Sequence, residues 1–177
     1  TYAIANEANN YMEQHANNDN PFCLFVSIAT PHFPHHTAPQ EYMELYTPDK
    51  LKLAPNVSED KRESALKELQ GYYAHCTATD KAIGEIIDKV KELGIYDNSI
   101  IVFTSDHGEL MGAHDFRPWS KMAAYSESSN VPFLISYPGI GNNAGKIAKA
   151  ALTTPDILPS LLSLSNIDIP NTIEGYD

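Results

Sequence analysis

Apolar residues recur every three or four positions near the start of the chain, at Ile4, Ala5, Ala8, Tyr11 and Met12. That spacing predicts an amphipathic helix over residues 2–15, closed by the polar run 17–21. Residues 22–29 are an unbroken apolar run containing Val26 and Ile28, bounded by Pro21 and Pro31, which predicts a strand buried on both faces. A proline-rich stretch follows over 31–58, with Pro31, Pro34, Pro39, Pro48 and Pro55, and reads as a long structured loop. Over 59–93, Leu66, Leu69, Tyr73, Cys76, Ile83, Ile87 and Val90 fall on one helical stripe that Gly94 ends. Asp80 occupies the gap in that stripe, where a carboxylate needs backbone or hydroxyl donors.

Two further apolar runs, 99–104 and 131–138, predict buried strands separated by polar sequence. A short last helix is expected with Thr154 as its N-cap, Pro155 in its first position and Asp156 in its first turn. Strands alternating with helices predict an α/β fold, a mostly parallel sheet flanked by helices.

A length of 177 residues with 42% hydrophobic residues supports a real core, so residues 1–177 are read as part of a single domain. The chain starts inside the predicted first helix and without Met, and further residues are expected upstream. A net charge of −11 argues against a nucleic-acid partner and favours divalent cations. Cys23 and Cys76 lie among apolar neighbours without metal or disulfide spacing and are expected to be inert core residues. No apolar run approaches the roughly 20 residues of a membrane-spanning helix.

In open α/β sheets ligands bind beyond the carboxyl ends of strands. Two loops in such places hold five of the seven histidines: "ATPHFPHH" with His32, His35 and His36, and "SDHGELMGAH" with Asp106, His107, Glu109 and His114. Gly108 permits an unusual turn that lets Asp106 and His107 converge on a metal ion, although the same string also suits an Asp capping a turn beside a solvent-facing His. His32, held between Pro31 and Pro34, reads as a proton donor or anion ligand, or else as a loop His packed on an aromatic ring. His35 and His36 are expected to face solvent. Lys121, next to this loop in sequence, suits an anionic oxygen as a point charge.

Four blocks in order resemble the sulfatase family of the alkaline phosphatase superfamily: "PFCLFVSIATPHFPHHTAPQEY", "GYYAHCTATDKAIGEIIDKVKELGIYDNSIIVFTSDHGELMGAH", "KMAAYSESSNVPFLISYPG" and "LTTPDILPSLLSLSNIDIP". The resemblance implies that Asp106 and His107 are metal ligands to a divalent cation, usually calcium. It implies that His32 contacts the sulfate or protonates the leaving oxygen, that Lys121 holds a sulfate oxygen, and that His114 lines the pocket. The nucleophile it implies is a hydrated formylglycine made from Cys or Ser in a Cys/Ser-x-Pro-x-Arg motif. The substrate is then a sulfated small molecule or glycan, and the compartment extracellular, periplasmic or lysosomal.

That nucleophile motif and the family's amino-terminal Asp-Asp doublet do not occur in these residues. The expectation is an internal or carboxyl-side part of a sulfatase catalytic domain that by itself neither turns over sulfate esters nor holds calcium tightly. Unpaired sheet edges are expected to promote self-association. Two alternatives remain at this stage: a phosphonate or phosphodiester hydrolase of the same superfamily, and a non-catalytic derivative.

Overall fold

The computed structural model describes residues 1–177, which form two compact units, Thr1–Ile140 and Gly141–Asp177. In the first unit helix α1 spans Tyr2–His15, as its periodicity predicts, and buries Ala5, Ala8 and Met12. It packs on the long helix α3, Arg62–Glu92. Lys89 of α3 joins the two by donating to Glu13 at 2.8 Å. Between them in sequence, the short helix α2, Gln40–Met43, brings Tyr42 into a core with Ala38, Ala74 and Ala78.

The buried face of α3 is not the predicted one. Leu69 and Val90 are buried, but Leu66, Cys76, Ile83 and Ile87 are half-buried, and Tyr73 and Asp80 are exposed. The buried row is instead Ala65, Ala74, Ala78 and Ala82 with Gly71, His75 and Thr79. Small residues sit where α1 and the 31–50 segment approach the helix closely, and the bulky residues flank that seam. Asp80 therefore needs no buried donors.

Residues 22–29 also depart from expectation. Phe22, Leu24, Val26 and Ile28 are half-buried while Cys23, Phe25, Ser27 and Ala29 are exposed, Phe25 by 87%. This alternation belongs to extended chain with one covered face, and no strand pairs with it. The expectation of a strand buried on both faces is thereby corrected, and so is that of Cys23 as a core residue. Cys76 is half-buried and not a core residue either, and burial pushes its thiol up to about 11.

Strands β1, Ile101–Thr104, and β2, Phe133–Ser136, pair with Ile101 opposite Ser136 and Thr104 opposite Phe133. They run antiparallel, so the expected parallel pairing does not occur between them. The cause is the excursion 105–132, which leaves the end of β1 and re-enters β2 beside it, reversing the chain. The Thr104–Phe133 pair closes the neck of that excursion, and the candidate site is built within it.

The second unit contains helix α5, Thr154–Leu164. Its N-cap is Thr153, one residue before the expected Thr154, because Asp156 then stands at the third helical position and completes a capping box. Asp156 Oδ2 accepts from the Thr153 backbone N–H at 2.8 Å and from its hydroxyl at 2.6 Å, and Oδ1 accepts from the Tyr176 N–H at 2.9 Å. No helix in either unit is long and apolar enough to cross a membrane.

Candidate functional site

Beyond β1 the chain turns sharply on its own polar groups. The Asp106 Oδ1 accepts from the His107 N–H at 2.9 Å, and the Ser105 hydroxyl donates to the His107 carbonyl at 2.8 Å. His107 donates from Nδ1 to the Gly108 carbonyl at 2.9 Å, which leaves a lone pair on Nε2. That Nε2 stands 3.5 Å from Asp106 Oδ2, and the Asp106 side chain is 84% exposed. One carboxylate oxygen and one imidazole nitrogen, the latter oriented from behind by a backbone carbonyl, thus sit side by side. This donor set fits two positions in the shell of a divalent cation and leaves the remainder to other groups.

The turn is laced to the segment that follows it. Gly108 N–H donates to the Ser128 carbonyl at 2.7 Å, Leu110 N–H to the Ser120 carbonyl at 2.9 Å, and Met111 N–H to the Pro118 carbonyl at 3.0 Å. The Ser128 hydroxyl donates to the Lys121 carbonyl at 2.5 Å. Lys121, half-buried, lies between Ser120, whose carbonyl is bonded to Leu110, and the Ser128 hydroxyl, which holds its own carbonyl. Ser126–Ser129 forms the helical turn α4 that carries Ser128.

Farther along, Met111, Gly112, His114 and Asp115 all take left-handed backbone angles. Three of these are not glycine, so the turn costs conformational energy and needs anchors. Asp115 supplies them: its Oδ1 accepts from the Ser58 N–H at 2.9 Å, and its carbonyl accepts from Lys61. His114 stacks on Tyr125 with ring centroids 3.7 Å apart and places Nε2 3.4 Å from Glu127 Oε1.

The second histidine loop approaches from the other side. His32 is exposed and donates from Nδ1 to the Phe33 carbonyl at 2.8 Å, so Nε2 is its outward-facing nitrogen. The Phe33 ring stacks on Trp119, centroids 5.9 Å apart, which joins this loop to the Lys121 segment. His36 is exposed as expected, whereas His35 is fully buried, correcting its placement in solvent. Glu68 of α3 is the cause, accepting from His35 Nδ1 at 2.7 Å. An imidazole enters a protein interior when a carboxylate is there to meet it.

Glu109 lies where these elements meet. Burial pushes its carboxyl above the usual carboxylate range, and the charges of Lys121, His35, His107 and His32, in that order, pull it back. The Phe33–Trp119 stack and the Leu110–Ser120 hydrogen bond bring the loop carrying residue 32, the turn carrying residue 107 and the segment carrying residue 121 together from separate parts of the chain. Asp106 adjoins this group and His114 sits beside it, held by Tyr125 and Glu127. Pairings of Glu68 with His35 and of Glu127 with His114 were not legible in the sequence, because neither pair has a helical or strand spacing.

Across residues 1–167 the chain matches the Sulfatase family model. It is 56% identical over 176 residues to an ulvan-active sulfatase of Formosa agariphila, covering 99% of this chain and 34% of that protein. An endo-4-O-sulfatase of Bacteroides thetaiotaomicron is 32% identical over 163 residues, covering 88% of this chain and 31% of the relative. Among solved structures, a 4S-sulf protein from the metabolism of multiple glycosaminoglycans by Bacteroides thetaiotaomicron superposes with a TM-score of 0.88 at 29% identity, over 99% of this chain and 37% of that one. The phosphonate monoester hydrolase of Agrobacterium radiobacter shares the fold, with a TM-score of 0.83 at 24% identity over 97% of this chain and 40% of its own. The chain spans about a third of the length of the curated relatives it matches. With the fold and the ordered motifs in agreement, the chain belongs to the sulfatase family.

Proposed function

We propose that the whole protein hydrolyses sulfate esters of a sulfated polysaccharide, and that residues 1–177 contribute the leaving-group side of its active site within one catalytic domain. The observation that carries this is the joining of the His32 loop, the Asp106–His107 turn and the Lys121 segment through the Phe33–Trp119 stack and the Leu110–Ser120 hydrogen bond. Ulvan is the substrate class named for a relative with 56% identity. In the whole protein, residues 22–29 would pair into a mostly parallel sheet through backbone groups that have no ladder partner here. Without such pairing, those edges favour self-association. Export or lysosomal delivery suits a substrate of this kind.

Asp106 and His107 would hold a divalent cation, calcium by family habit, together with ligands from outside these residues. When bound, the cation and formylglycine supply charge neutralisation at the sulfate and the nucleophile. Lys121 places a positive charge on a sulfate oxygen, and the Leu110–Ser120 and Ser128–Lys121 hydrogen bonds fix the backbone from which its side chain reaches. His32 acts through Nε2: with Nδ1–H committed to the Phe33 carbonyl, the imidazolium donates its Nε2 proton to the departing sugar oxygen. His114, stacked on Tyr125, lines the pocket.

The test is sulfate release from ulvan oligosaccharides by the full-length protein, co-produced with a formylglycine-generating enzyme. Exchanging His32→Ala or Lys121→Ala is expected to lower kcat/KM by about 10²-fold or more. Turnover of the p-nitrophenyl monoester of phenylphosphonate, releasing p-nitrophenol, in place of any sulfate ester would move the assignment to the phosphonate hydrolases. These 177 residues alone are expected to show no turnover and only weak calcium binding.

A further inference from the structure

The geometry points to His35 as a positioning residue: with Glu68 and Gly71 it forms a socket in α3 that fixes the 31–37 loop and thereby the place of His32 Nε2. It rests on the role proposed above for His32. His35 itself cannot touch substrate, since it is 0% exposed. Its Nδ1 is bound to Glu68 Oε2 at 2.7 Å and its ring meets the Tyr72 edge at a centroid distance of 5.7 Å.

The loop backbone is seated as firmly as the ring. A Cβ on Gly71 would stand 2.3 Å from the His35 carbonyl oxygen and 2.7 Å from its carbonyl carbon, so only glycine lets the loop rest on the helix there. Glycine inside a helix costs about 1 kcal/mol against alanine, which makes its position in the middle of α3 informative. A second tie lies just beyond, where the Thr37 hydroxyl donates to the Pro34 carbonyl at 2.7 Å and lies 3.3 Å from His75 Nε2.

The path from socket to His32 is short and stiff. Only Phe33 and Pro34 intervene, the proline ring sets one of the intervening φ angles, and Phe33 is braced against Trp119. A shift of His35 is therefore passed to His32 rather than absorbed. General acids lose rate steeply when displaced from the leaving atom.

The experiment is a double-mutant cycle in the full-length enzyme on the sulfated oligosaccharide that the wild type turns over. Glu68→Ala is the main variant because Glu68 is partly exposed and its loss frees His35 without deleting the ring; His35→Ala and His35→Asn accompany it. Glu68→Ala and His35→Ala are expected to lower kcat by about tenfold with KM within about twofold. His35→Asn, which keeps an N–H donor near the Nδ1 position, restores most of the rate. In a His32→Ala background Glu68→Ala is expected to cost nothing further, because the group it places is gone. If Glu68→Ala lowers kcat equally in both backgrounds, or in neither, the inference is overturned while the role of His32 stands. Should His32→Ala itself leave kcat unchanged, His32 is not the acid and the inference falls with it. Should His35→Ala fail to fold, the Glu68→Ala cycle decides alone.

Discussion

Gly108 and Glu127 meet backbone to backbone: a Cβ on Gly108 would stand 2.0 Å from the Glu127 carbonyl oxygen. This contact presses the Asp106–His107 turn against the segment that follows Lys121, and the Gly108–Ser128 hydrogen bond runs alongside it. Gly108→Ala must push these two segments apart at a cost of roughly 1–3 kcal/mol. We expect at least about a tenfold loss of calcium affinity in the full-length protein by calorimetric titration. Unchanged affinity would show that the turn tolerates the displacement.

Ala78 is 2% exposed on the seam of α3, in a core with Ala38, Tyr42 and Ala74. Ala78→Leu has no room there and is expected to destabilise the first unit by roughly 1–3 kcal/mol in chemical denaturation. Ile87→Leu, which nearly conserves volume at a half-buried position, should cost far less.

Asp156 gathers its three donors at the start of α5, and the Thr153 hydroxyl, the Tyr176 N–H and the Thr153 N–H hold its carboxyl below the usual range. A depressed folded value means that the group stabilises above the ordinary carboxylate pKa of about 3.9 and that this contribution is lost as pH falls through the lower folded value. Amide chemical shifts of α5 and Tyr176 should move together in that acidic window. Asp156→Asn should remove the transition.

The two thiols should separate cleanly in a disulfide-exchange assay on the 177-residue chain. Cys23 is exposed, whereas the Cys76 thiol is pushed up to about 11 by burial, leaving only about one thiolate in a thousand at pH 8. One equivalent is expected to react quickly and one only on unfolding. In the full-length protein Cys23 should become protected as residues 22–29 enter a sheet, and a thiol that stays equally fast would argue against that pairing.

Local chemistry sufficed for much of this molecule. The helical period placed α1 to the residue and α3 to within a few residues, and the apolar runs located β1 and β2 with frayed ends. Polar residues just past apolar runs marked the two histidine loops. The ordered motifs around Asp106, His107 and Lys121 carried the family. These properties are legible because each depends on neighbours in sequence, whether through helical spacing, turn chemistry or a motif of adjacent residues.

Only the tertiary structure decided which face of α3 is inside, that β1 and β2 run antiparallel, and that residues 22–29 cover one face only. It alone drew His35 inward to Glu68 and closed His114 against Glu127 and Tyr125. Burial depends on how closely another segment can approach, and small residues such as Ala78 and Gly71 permit an approach that their own weak hydrophobicity does not announce. Charge pairs across 33 residues or more leave no periodic trace, because the distance that matters to a carboxylate and an imidazole is measured through space and not along the chain.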